Sequence, residues 1–126
     1  MKLFLKNALL ITCTIFMTNL AASSAIDDSI DYDKLAEQCR SLSLQLDTLA
    51  QTQDRKTCSA NLDGLNVYFA SNYILLRWTN KATEVLTSAI FQVEFAHDTG
   101  CYYEDEIQNV VNGLKLIRDQ LIDSRQ

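Results

Sequence analysis

CYYEDEIQNVVNGLKLIRDQLID, residues 101–123, decides the fold. Tyr103, Ile107, Val110, Leu114, Ile117 and Leu121 recur at alternating spacings of four and three, which puts them on one stripe of an α-helix. Glu104, Asp105 and Glu106 open the stretch, and Lys115 and Arg118 lie in its second half. Each sign complements the partial charge of the nearer helix end. A stripe this narrow and regular has to be buried against other helices. The expectation is therefore an all-α protein, a small antiparallel up-and-down helical bundle built around this last helix.

Working back toward the amino terminus, Asp98-Thr99-Gly100 separates it from a preceding helix, with Gly100 a natural left-handed terminator. In that helix Leu86, Ile90, Val93 and His97 share a face, flanked by Phe91 and Phe95. Thr79-Asn80-Lys81 breaks the apolar run, and Asn80 is a candidate cap. Leu62 to Trp78 is densely apolar with no single stripe, the pattern of a central helix buried on most sides. Its strand-favouring residues also allow a β-hairpin around Ala70-Ser71-Asn72. The poor alternation and the lack of a turn glycine argue against the hairpin. The aromatic group Tyr68, Phe69, Tyr73 and Trp78 is expected mainly in the core, with some rings left for a partner.

Ser59 is a candidate cap for this second helix, and Thr52 to Thr57 reads as a loop. The first helix runs roughly from Asp31 to Gln53, with Leu35, Cys39, Leu42, Leu46 and Leu49 as its stripe. Ile26 to Asp33 is an acidic arm feeding it. This makes four helices. The alternative is three, with Leu62 to Ala96 as one unbroken rod, ~50 Å long at ~1.5 Å per residue.

The chain has 126 residues, room for one domain, with 48% hydrophobic content, three glycines and no proline. Proline-free composition suits long helices. Residues 1–25 read as a cleavable signal peptide. Lys2 and Lys6 form a basic start, Ala8 to Leu20 an apolar run, and Ala21-Ala22-Ser23-Ser24-Ala25 the small residues of a cleavage site. The run is only about 13 residues, short of the ~20 that span a bilayer. Residues 26–126 form the single bundle domain, and no stable membrane span remains after cleavage. The expected location is periplasmic or secreted. Loss of Lys2 and Lys6 takes the formal net charge from −5 to about −7. Such an acidic protein repels phosphate backbones, so nucleic acid is not an expected partner. Another protein is. The oligomeric state stays open.

Export leaves Cys39, Cys58 and Cys101 as disulfide candidates. In a four-helix bundle the loop after the first helix and the loop before the last lie at the same end. That favours Cys58–Cys101, with Cys39 as a buried small hydrophobe. The bridge would close a loop of about 44 residues, contributing ~3–4 kcal/mol on the chain-entropy model. With three helices Cys58 and Cys101 fall at opposite ends of the long rod, and Cys39–Cys101 becomes the pair.

The sharpest chemical constellation is Glu94-x-x-His97, with Cys101 and Glu104 nearby. Glu and His at this spacing serve metal sites in four-helix bundles. Such sites use two of these motifs and more glutamates, whereas this chain has one histidine. A haem lacks the Cys-x-x-Cys-His attachment motif and would depend on His97 alone. No Gly-x-Ser-x-Gly, His-Glu-x-x-His or phosphate-binding glycine loop is present. The expectation is a non-catalytic binding or assembly module without a cofactor. The alternative is a metal- or haem-holding bundle centred on His97.

Overall fold

The computed structural model describes residues 30–124; the signal-peptide segment 1–25 lies outside them. Five helices follow in order: α1 Tyr32–Gln51, α2 Lys56–Asn61, α3 Leu65–Leu75, α4 Thr79–Asp98 and α5 Glu104–Asp123. The described residues contain no strand. Apart from the short α2, the long helices form a ring. α1 packs on α3 and α5, and α4 packs on α3 and α5. The ring is antiparallel, since Arg77 after α3 meets Asp33 at the start of α1 and Gln53 beyond α1 meets Tyr102 before α5.

α5 forms as its spacing requires. Ile107, Val110, Leu114, Ile117 and Leu121 are all buried, joined by Val111. The helix starts at Glu104, and Tyr103 precedes it in a left-handed conformation, φ 67°. Tyr103 is therefore turned off the stripe and lies exposed. The glycine inside the helix lies against α1: a Cβ on Gly113 would sit 3.1 Å from Leu42 Cδ1. α1 buries Leu35, Ala36, Cys39, Ser43, Leu46 and Leu49. Ser43 takes the buried place expected for Leu42, which is half-buried over Gly113.

A close backbone crossing lies at Ser43. A Cβ on Gly64 would run into the Ser43 carbonyl. The Gly64 amide instead donates to Asp47 Oδ1 at 3.0 Å. Only small groups fit where the entry to α3 meets α1. The buried Ser43 hydroxyl donates to the Arg40 carbonyl one turn back, at 2.8 Å.

Between α1 and α3 the expected loop is shorter than read, because Lys56–Asn61 forms α2. Ser59 lies inside α2 and its hydroxyl donates to the Ala50 carbonyl, so it ties α2 to α1 rather than capping α3. Asp63 Oδ1 accepts from the Leu65 amide at 2.9 Å and steadies the first turn of α3.

The break between α3 and α4 falls at Leu76-Arg77-Trp78, earlier than the Thr79-Asn80-Lys81 expected, and Thr79 already opens α4. Arg77 adopts φ 65°. The Trp78 amide donates back to the Tyr73 carbonyl and the Arg77 amide to that of Ile74, and the Trp78 and Tyr73 rings stack at 5.9 Å. This is a Schellman ending with its usual apolar clasp, made with arginine where glycine is favoured. α4 ends the same way with the expected Gly100, φ 82°, where the Cys101 amide donates to the Ala96 carbonyl. The break rules out the single long rod.

The core is aliphatic. Leu46, Leu62, Val67, Ile74, Leu86, Val93, Ile107, Leu114 and Leu121 are fully buried. Among the described residues no aromatic ring is buried. The central, enclosed α3 expected from Leu62 to Trp78 is thus corrected: only Val67, Ala70, Ser71 and Ile74 face inward.

Candidate functional site

α3 has the sequence LNVYFASNYIL, without a single charge. Its inner side is narrow, with the small Ala70 and Ser71 between Val67 and Ile74, and it faces α1. Cys39 Sγ donates to the Val67 carbonyl across that contact at 3.2 Å, and the Ser71 hydroxyl donates back to Tyr68 at 2.6 Å. Ile74 is the one large aliphatic side chain on the inner side, and the other large side chains project the other way. Leu65, Tyr68, Phe69, Leu75 and Leu76 are between 41% and 55% exposed. At about 100° per residue they fall within roughly one third of the helix circumference. α3 is therefore apolar on both sides, with one side buried by its own chain and the other open.

Two arginines contact aromatic rings around α3. The Arg40 guanidinium lies 5.2 Å from the Tyr68 ring centroid and donates to Asn72 Oδ1 at 3.2 Å. Arg77 covers the Tyr32 ring at 4.7 Å and pairs with Asp33 at 3.6 Å. Such cation–ring contacts orient the aromatics without enclosing them. In the α3–α4 turn Trp78 is 56% exposed, and on α4 Phe91 and Phe95 are exposed rather than tucked beside the core.

At the opposite end the chain is tied down. Cys58 and Cys101 form a disulfide with Cα atoms 5.7 Å apart. Gln53 exchanges two hydrogen bonds with the Tyr102 backbone, donating from Nε2 at 3.0 Å and accepting at Oε1 at 2.8 Å. Arg55 donates to the Thr99 carbonyl at 3.0 Å. The Tyr102 hydroxyl donates to Asp54 at 3.0 Å, and this bond, with the charge of Asp54, raises the phenol above its ordinary range. Gln53, Asp54 and Arg55 belong to the charged run read as a plain loop, and their pairing with residues about fifty positions on left no trace in local sequence.

The residues singled out for chemistry have separate partners. Glu94 Oε2 pairs with Lys115 Nζ at 2.8 Å. His97 Nδ1 lies 3.1 Å from Asp98 Oδ1, on a half-buried side chain. Ala96, not His97, completes the buried face of α4. Cys101 is in the disulfide, and the described residues contain no group of three or more His, Cys, Asp or Glu able to hold a metal ion. Cys39 is the free cysteine among them and is buried; burial pushes its thiol up to about 12, against a smaller opposing pull from Arg40. It behaves as the small hydrophobe expected, not as a nucleophile.

No helix among the described residues is long and apolar enough to cross a membrane. No protein family, no curated protein and no solved structure matches the chain.

Proposed function

We propose that this chain is an exported, non-catalytic binding or assembly module, working in the periplasm or outside the cell, whose contact surface is the open side of α3. The observation that carries the reading is the inversion of the usual arrangement: aliphatic side chains fill the core while the aromatic rings stand outside. Exposed Tyr, Phe and Leu grouped on an uncharged helix have the composition of interface centres, not of a solvated surface. The acidic remainder of the surface keeps the protein soluble and disfavours anionic partners. The partner this surface suits is another protein.

A photoreactive phenylalanine derivative in place of Phe69 tests the surface in the producing cell. A discrete adduct is expected there and none from the same group at Glu37, on the charged outer side of α1. Absence of any adduct at both positions removes the reading. Amino-terminal sequencing of the exported protein tests the other half; the expected first residue is Ile26, and an intact Met1 refutes export by cleavage.

A further inference from the structure

The open side of α3 has a symmetry that narrows the choice of partner. Resting on the contact surface proposed above, we infer that it is covered by α3 of a second copy of this chain, laid antiparallel across a two-fold axis. Three observations lead there.

The first is spacing. Leu65, Phe69, Asn72 and Leu76 follow one another at intervals of four, three and four. This series reads the same in both directions, about a midpoint between Ala70 and Ser71. A two-fold axis at that midpoint sets each Leu65 opposite the second copy's Leu76, and each Phe69 opposite the second copy's Asn72. Isologous contacts require such self-complementarity. Asn72 is the single polar residue of the series, and one polar group in an apolar seam restricts the registers available.

The second is charge. α3 has none, but Asp63 stands just before it and Arg77 just after. Antiparallel pairing opposes the two helix dipoles and sets Asp63 of each copy at the end where the other carries Arg77, whose own-chain partners are Asp33 and the Tyr32 ring. Parallel pairing would set like against like at both ends. The contact lies on the uncharged helix of a net-acidic molecule, with Arg40, over Tyr68 and bonded to Asn72, as the charged group beside it, so it unites two copies without pressing acidic surfaces together.

The third is area. The exposed parts of Leu65, Tyr68, Phe69, Leu75 and Leu76 come to roughly 500 Å² on each copy. Two such surfaces with their rims reach the ~1,200 Å² at which specific interfaces begin. That extent suits a reversible dimer, not an obligate one.

Light scattering of the chain purified as the cell exports it gives the decisive mass. The expected result is a dimer at tens of micromolar that dissociates on dilution. Phe69→Asp, and independently Leu65→Asp, should keep the helical circular dichroism of the dilute protein and weaken association by about 30-fold or more. A mixture of Leu65→Cys and Leu76→Cys chains should oxidise to a crosslinked pair, while Leu65→Cys alone should not. A crosslink from Leu65→Cys alone, or a dimer indifferent to both aspartate variants, overturns the antiparallel α3 pair. A monomer at every concentration, together with a Phe69 photo-adduct of some other mass, overturns the second copy and leaves the contact surface standing. A monomer with no adduct overturns both.

Discussion

α5 and α3 are both helices with strong apolar content, and they use it in opposite ways. α5 gathers its apolar residues into one stripe, buries them, and turns acids, amides and basic residues outward; Leu116 is its large exposed apolar side chain. α3 has apolar residues all round and no charge, yet buries only Val67, Ala70, Ser71 and Ile74. On α5 large side chains go inward because α4 and α1 leave room for them. On α3 only Val67, Ala70, Ser71 and Ile74 go inward, and at its entry the crossing at Ser43 and Gly64 brings the backbones together. Apolar content therefore measures how much surface a helix needs covered. It does not say whether the helix's own chain does the covering.

The widest separation between the two helices is expected in stability. Leu114→Ala, at a fully buried position of α5, should destabilise the fold by about 3–5 kcal/mol. Phe69→Ser on the open side of α3 should cost the dilute protein clearly less, about 1–2 kcal/mol, for the covered half of the ring. Urea unfolding of both variants checks this, and equal losses would mean that the outer side of α3 is as enclosed as α5.

The disulfide anchors the start of α5 and leaves the α3–α4 corner alone. Replacing Cys58 and Cys101 together by alanine should lower stability by ~3–4 kcal/mol. Amide exchange should quicken first in the segments around Gln53 and Tyr102, not at Trp78. Equal acceleration at both ends would show that the two ends are not held independently.

A smaller, pH-dependent effect belongs to the α1–α3 contact. Cys39 keeps its proton in the folded protein up to about 12, whereas a thiol in the unfolded chain loses it near ~8.5. Between these values the folded state binds more protons, so stability falls as pH rises, by at most ~1.4 kcal/mol per pH unit from this group. Stability from this source is fully present below the unfolded value. Cys39→Ala should flatten the alkaline slope relative to the parent, and an unchanged slope would place the thiol in contact with water.

The smallest expected effect is at Gly113. Alanine gains up to ~1 kcal/mol of helix propensity, offset by crowding of Leu42, whose half-buried end has room to swing. Gly113→Ala should raise the melting temperature slightly; a drop would mean that Leu42 is fixed.

Much of this molecule can be read from its residues in order. The stripes of α1 and α5, apart from Leu42 and Tyr103, and the stop at Gly100 follow from periodicity and a left-handed terminator, and Cys58 follows as the partner of Cys101 once four helices are chosen over three. The first two are local, and the third needs only the up-and-down order. The tertiary structure decided the rest: the short α2, the turn at Arg77, the hydrogen bonds joining Gln53 to Tyr102, and the outward placing of the rings. The physical reason is that a side chain's burial depends on the distance to the neighbouring backbone. That distance is set here by Gly64 meeting Ser43, two residues that lie far apart along the chain and carry no periodic signal.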